Sequence, residues 1–212
     1  LPPVIYPNPE RCCFSGATLV EKDRVIAMYH GTNAGNMVAV SSDPLLLNWK
    51  KLTGQPVIPI ASPDGSPLPY RIHDPCIWKQ GGTYYCLSNG RDWWRPMDFL
   101  FRSDDLVHWE YLHPFVENQD AFCLPGDDGA CPYFWPIGDR YMLLFFSHMS
   151  GGQYLLGDYD QERDKFVVTS HHELNFGAFE PGGVHAPSAT PDARGGVHVI
   201  FNMNPARPTA GW

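Results

Sequence analysis

The chain has 212 residues, 43% of them hydrophobic and 14% aromatic, with 20 glycines, 21 prolines and only 18% charged side chains. That mixture suits one domain of many short strands joined by turns, and it excludes coiled coil and long surface helices. A net charge of -8 without any Lys/Arg cluster argues against nucleic acid or an anionic membrane as partner, and no stretch approaches the roughly 20 apolar residues that cross a bilayer.

The opening residues, Leu1-Pro2-Pro3-Val4, show neither an initiator methionine nor a signal-peptide pattern. From residue 14 onward, three segments follow one plan. The first reads FSGATLVEKD, VIAMYHGT, MVAVSSD and LNWKKL over 14–52; the second reads DPCIWKQ, TYYCLSNG, FLFRSDD and VHWEYL over 74–112. The third reads CPYFWPIG, YMLLFFSH, YLLGDYD and KFVV over 131–168. Each supplies four short strands rich in β-branched and aromatic residues, divided by Gly, Asp or Asn turns. A fourth segment, over 184–212, begins APSATPD and VHVIFNMN and is incomplete. No window sustains a helical apolar period with caps, so helix content is expected to be small.

Short motifs recur at a near-constant interval. Asp74 of His73-Asp74-Pro75 comes 59 residues after Ser15 of Phe14-Ser15-Gly16, Cys131 of Ala130-Cys131-Pro132 comes 57 after Asp74, and Pro187 of His185-Ala186-Pro187 comes 56 after Cys131. Repeated four-stranded units point to an all-β fold of five-bladed β-propeller type, with each blade offering one residue cluster toward a common axis. About three and a half blades are accounted for, so a single partial propeller domain is expected, lacking its first blade and part of its last. Ser42-Asp43 before Trp49 parallels Ser103-Asp104 before Trp109, and both indoles are expected to be structural.

Six cysteines (12, 13, 76, 86, 123, 131) form no CxxC pair and no zinc spacing. Cys76 and Cys86 are equidistant from Gly81, so they are expected to face each other across a hairpin, as buried free thiols rather than a disulfide. The nine histidines show no metal constellation, His171-His172 reads as an exposed pair after a strand, and there is neither a nucleophile elbow nor a phosphate-cradling loop. No metal and no cofactor is expected.

The four motifs resemble those of glycoside hydrolase family 32, the β-fructofuranosidases that include invertase, inulinase and levanase. Phe14-Ser15-Gly16 matches the FSG motif of the second blade, His73-Asp74-Pro75 stands where the family has Arg-Asp-Pro, Ala130-Cys131-Pro132 where it has Glu-Cys-Pro, and His185-Ala186-Pro187 resembles the Tyr-Ala-Pro that opens the fifth blade. The resemblance implies a retaining glycosidase acting on sucrose, fructo-oligosaccharides or fructans. It also implies a nucleophile Asp in a first-blade motif that has no match in this sequence.

Under that resemblance Asp74 binds fructose hydroxyls and stabilises the oxocarbenium-like transition state. The family's acid/base Glu is replaced by Ala130, which has no proton to give. Asp128, two residues back, shares a face with Ala130 if the strand extends that far, and so becomes the candidate acid; Asp127-Asp128-Gly129 reads equally as an acidic turn. As an acid Asp128 needs a raised pKa, with Tyr133, Phe134 and Trp135 as its apolar surroundings. Glu180 is the reserve. Phe14, Ser15, His73, Arg91, Trp93, Trp94 and His185 are the candidate substrate-binding residues, the indoles stacking on sugar C–H faces.

Two other readings stay open. The run from Asp74-Pro75-Cys76-Ile77-Trp78 to Gly82-Thr83-Tyr84-Tyr85 also resembles the family 43 arabinosidases and xylosidases, and Ala130 with the unmatched nucleophile suits a carbohydrate-binding pseudoenzyme. The partner is a carbohydrate in every case. Cell location is open, with secreted or periplasmic favoured over cytoplasmic through the resembled family, and oligomeric state leaves no mark in the sequence.

Overall fold

The computed structural model describes residues 5–90, 97–174, 183–192 and 194–204. They form four antiparallel sheets. The first contains β1 (Cys13–Val20), β2 (Val25–Gly31), β3 (Gly35–Ser41) and β4 (Lys50–Lys51) in that order, with β5 (Ile58–Pro59) also paired to β3. The second runs β6 (Pro75–Gln80), β7 (Thr83–Asn89), β8 (Asp98–Ser103), β9 (Glu110–Pro114). The third runs β10 (Ala130–Ile137), β11 (Arg140–Ser147), β12 (Gly151–Asp160), β13 (Lys165–Glu173). The fourth pairs β14 (Gly183–Pro191) with β15 (Val197–Asn204). Among the described residues the only helical element is a 3-10 turn at Gln119–Ala121.

The chain divides into two compact units, Leu1–Gly90 with Phe99–His113 and Arg91–Asp98 with Pro114–Trp212. In the first, Ile26, Met28, Val38, Leu87, Leu100 and Phe101 are almost fully buried. Tyr70 meets Phe101 edge-on at 4.9 Å and Tyr111 at 5.4 Å. In the second, Phe115 meets Phe134 edge-on at 4.8 Å and lies parallel to Phe166 at 6.0 Å, while Phe134 meets Tyr159 edge-on at 5.4 Å. Edge-to-face geometry sets the positive ring edge against a negative face, adding to the burial of large apolar rings.

Local chemistry fixes the turns. Gly81 and Gly138, both with φ near 60° (60° and 59°), head two-residue hairpin loops between Gln80 and Thr83 and between Ile137 and Arg140. A positive φ there matches the strand twist and suits glycine. The Ser-Asp-Trp repeats share one geometry: Trp49 donates its indole N–H to Leu46 O at 2.8 Å, and Trp109 donates to Leu106 O at 3.0 Å. Asp43 accepts from the N–H groups of Leu45 and Leu47, and Asp105 from those of Val107 and His108, so side-chain oxygens satisfy turn donors in both sheets.

The cysteine expectation needs correcting. The two-residue turn pairs Cys76 with Leu87 and Cys86 with Ile77. That register is one residue away from facing, and alternation then sends the two side chains to opposite faces of the sheet. Neither cysteine is in a disulfide and both are buried, as expected. His171 is not an exposed bystander either: it is half-buried, and its Nε2 lies 2.5 Å from Gln153 Oε1.

Candidate active site

Three of the four recurring motifs share a backbone feature. One extra residue sits in β1 between Cys13 and Gly16, in β10 between Ala130 and Tyr133, and in β14 between His185 and Ser188. Cys131 and Ala186, the first residues inside two of these bulges, have φ of 50° and 48°. A bulge bends the strand and re-aims the side chains beside it. The register makes Cys13, Ala130 and His185 equivalent, which aligns Ser15 with Pro132 and Pro187, so of the residues found by counting only Cys131 is one position off. Gly16 is required by close approach: a Cβ there would run into the Met28 carbonyl oxygen. Asp74 stands differently, directly before β6 and paired in regular register with Asn89.

In the first unit the motif residues gather at one strand end. Asp74 is 6% exposed; its N–H donates to Asn89 Oδ1 at 2.7 Å, and Asn89 N–H returns a longer bond of 3.4 Å to Asp74 O. His73 Nδ1 lies 3.1 Å from Asp74 Oδ1, with the His73 side chain 35% exposed. His30 stacks on His73, with ring centroids 4.1 Å apart and planes at 18°, and the exposed ring of Phe14 lies 6.3 Å from His73. Burial, and then the neighbouring His73, push the His30 pKa down, so His30 is neutral near pH 7.

The donors run in one direction. Asn36 Nδ2 donates to Ser88 Oγ at 3.0 Å, and Ser88 Oγ donates to His73 O at 3.2 Å. Asn36 Oδ1 is thereby the acceptor facing His30 Nδ1 at 3.2 Å, which assigns the proton to Nδ1 of that ring. Buried polar groups satisfied in series hold His73 and Asp74 in place. Ser15 is exposed.

In the second unit, β10 begins at Ala130 and Gly129 has φ of 60°, so the strand does not extend to Asp128 and the alternation argument for a shared face does not apply. The two aspartates part company. Asp127 closes a turn, accepting from Leu124 N–H at 2.8 Å and from Ser150 Oγ at 2.5 Å. Gln153 Nε2 donates to the same Ser150 hydroxyl. Asp128 turns to the end of β11, where Oδ1 accepts from His148 N–H at 3.1 Å and Oδ2 lies 2.7 Å from His148 Nδ1. Tyr133 stacks on Trp135 at 5.0 Å and Phe134 enters the aromatic core, so the ring held against Asp128 is His148, itself edge-on to Phe146 at 5.1 Å.

The carboxyl with the strongly raised pKa is Asp98, at the head of β8, which sequence reasoning missed. It is 1% exposed, and neither carboxyl oxygen has a hydrogen-bond partner among the described residues. Burial, and then the charge of Asp128, raise its pKa well above the ordinary value of an aspartate. A methyl added at Gly129 would lie 3.1 and 3.3 Å from its oxygens, so it packs against the backbone between Asp128 and Ala130. Cys123 is pushed to about 12 by burial and by Asp127, Asp98 and Asp120. Nothing in the local sequence Pro96-Met97-Asp98-Phe99 marks this residue; only its burial does.

Ala130 is 3% exposed. His185 pairs with Asn202 through the backbone of β14. Arg91, Trp93, Trp94 and Glu180 lie outside the described residues. Among the described residues no group of three or more His, Cys, Asp or Glu could hold a metal ion, and no helix is long and apolar enough to cross a membrane.

All-β meanders of four strands, a bulge at the first strand of three sheets, and carboxylates at strand starts define a propeller-type fold of the kind that carries glycosidase sites. Residues 1–201 match the glycosyl hydrolases family 32 N-terminal domain, and the chain belongs to that family. It is 30% identical over 65% of its length to an insoluble β-fructofuranosidase isoenzyme of Arabidopsis thaliana, covering 26% of that protein. It is 28% identical over 77% of its length to a fructan 1-exohydrolase of Bromus pictus, covering 29%. The chain thus spans under a third of either relative. Among solved structures, a family 32 β-fructofuranosidase of Bombyx mori, captured as a point mutant with sucrose, matches with a TM-score of 0.72 at 25% identity, over 96% of this chain and 46% of that one. A thermostable family 43 glycoside hydrolase shares the fold, with a TM-score of 0.63 at 12% identity over 94% of this chain and 67% of that one.

Proposed function

We propose that the protein is a retaining glycoside hydrolase acting on β-fructosides: sucrose, fructo-oligosaccharides or fructans. One observation carries the reading. In a chain of family 32, Asp74 stands as a nearly buried carboxylate at the start of its sheet, fixed by Asn89 and His73. Such a group is pre-organised to accept hydrogen bonds from two sugar hydroxyls and to face the positive charge of an oxocarbenium-like transition state without reorganising. The names of relatives that are β-fructofuranosidase, fructan exohydrolase and levanase support the choice of sugar.

In this reading Phe14, Ser15 and His73 are first-unit substrate contacts, and His185, Arg91, Trp93 and Trp94 are further substrate-binding residues. His73 in place of arginine offers one ring nitrogen where a guanidinium offers a fork of donors. The acid side is built around Asp128. The nucleophile is a carboxylate outside the residues assigned here.

The test uses the full-length protein with sucrose, a fructan and an aryl arabinofuranoside. Fructoside hydrolysis is expected, with Asp74→Asn lowering kcat by about 10²–10³-fold at little change in folding. Turnover of the arabinoside alone, sugar binding without turnover, or an Asp74→Asn variant of near wild-type activity would each overturn the reading.

A further inference from the structure

The His73 side chain is partly exposed, and its Nδ1 lies 3.1 Å from Asp74 Oδ1. Its Nε2 has no partner among the described residues. One such contact does not fix an imidazole, whose outer torsion is broad. What lies beneath the ring decides its plane. His30, on β2 and 4% exposed, stacks on it with centroids 4.1 Å apart and planes at 18°. His30 is itself anchored: its Nδ1 lies 3.2 Å from Asn36 Oδ1, Asn36 donates to Ser88, and Ser88 donates to the carbonyl of His73. The circuit runs through β2, β3 and β7 of one unit and ties the lower ring to the backbone that carries the upper one. Phe14, 6.3 Å from His73 and tilted by 58°, borders the stack without clamping it. The neutral His30 ring sits under His73 without like-charge repulsion.

We propose that His30 is a positioning residue that fixes the plane of the His73 ring, so that Nδ1 stays on Asp74 and Nε2 faces the sugar. The assignment rests on the fructoside hydrolase reading. Stacking sets the plane, and Asp74 selects between the two ring orientations that share it. A carboxylate facing Nδ1 draws the ring proton there, so Nε2 of the neutral ring accepts a hydrogen bond from a sugar hydroxyl. That bond weakens steeply once its angle falls below about 120°. A guanidinium carries its orientation in a rigid fork, whereas a single ring nitrogen depends on its supports. His30 supplies that support from a buried position under the ring and does not touch the substrate.

A double-mutant cycle on the full-length protein, with sucrose as substrate, tests it. His30→Gln keeps an N–H for Asn36 and removes the ring, and it is expected to lose about 10–10²-fold in kcat/KM. His73→Ala should lose at least as much. Adding His30→Gln to His73→Ala should then change kcat/KM by less than about twofold, because a residue that acts through His73 has nothing left to orient. The two single variants should also divide their losses between kcat and KM in the same way. His30→Phe, which puts a flat ring back under His73, should recover most of the His30→Gln loss. Urea unfolding shows which variants are folded in the assay, and His30→Asn takes the place of His30→Gln if the longer amide is not tolerated. Losses that multiply in the double variant overturn the assignment and leave the hydrolase reading standing. So does a His30→Gln of near wild-type activity, or a folded His30→Phe as impaired as His30→Gln. A wild-type protein that turns over no fructoside overturns both.

Discussion

Asp98→Asn is expected to stabilise the protein by an amount that grows with pH. The buried carboxyl has no partner for either oxygen and lies beside Asp128, so its pKa is raised on folding by burial first and by that charge second. A group whose folded pKa lies above its unfolded value binds more protons in the native state, so its contribution is fully present below the unfolded pKa and is lost as pH rises toward the folded one. The loss is about 1.4 kcal/mol per pH unit inside that window. As pH rises above about 4 the wild type therefore gives up stability at that slope, which the amide, having no proton to lose, keeps. Below about pH 4 the two chains differ little, because both then place a neutral, similarly shaped group in the same site. Urea unfolding of both proteins at several pH values reads the difference directly. A gap between them that stays constant over this range would refute the reasoning, since it would mean that Asp98 has the same proton affinity folded and unfolded.

Lys51→Met removes the cation paired at 2.5 Å with Glu10, whose side chain is fully buried. Burial alone raises the Glu10 pKa, but hydrogen bonds from Lys51 and Tyr29 outweigh it and the net shift is downward. The variant should lose about 3 kcal/mol in urea unfolding, at the low end for an orphaned buried charge because Lys51 is partly wet. The same depressed pKa means that the contribution of Glu10 is present above the ordinary carboxylate range and fades as pH falls through its folded value. Gly16→Ala places a methyl against the Met28 backbone, where no rotamer can relieve the clash, and should cost at least about 2 kcal/mol by the same assay. Asn89→Ala leaves the Asp74 N–H without its 2.7 Å acceptor. It should cost about 1–3 kcal/mol and lower kcat on fructosides, with Asp74 still present but less firmly held.

The sheets were legible because their signals are local. Gly81-Gly82 and Gly138-Asp139 announce hairpins by the φ they permit, and the Ser-Asp-Trp repeats carry their own turn chemistry from one sheet to the next. Asp74 was legible for a related reason: its neighbours in sequence, His73 and Pro75, and the end of the adjacent hairpin at Asn89 are the groups that hold it. What stayed hidden depends on pairing register and on burial. The offset of Cys76 and Cys86 is one residue of register that equal distances from Gly81 cannot resolve. His148 reads as an ordinary turn residue until Asp128, 20 positions earlier, is seen against both its backbone and its ring. Asp98 looks like any polar residue between a loop and a strand, and only its loss of solvent and of partners makes it distinctive.

The bulges explain how a family motif can persist when the residue that opens it changes. At Ala130-Cys131-Pro132 the left-handed φ of Cys131 and the extra residue before Tyr133 belong to the backbone, and His185-Ala186-Pro187 repeats both features with a different first residue. Proline fits here because a bulge releases one ladder donor that a regular strand would need. Holding a non-glycine residue at positive φ costs about 1–2 kcal/mol, which surrounding structure must offset, so the pair after the first position is constrained by the strand's path. The first position is not. Alanine fits it at 3% exposure, while Asp128, two residues earlier, meets His148 at the end of β11. The backbone path and the side chain at its first position therefore rest on adjacent residues of one motif and can change independently, so an intact Cys-Pro reports on the strand's path alone.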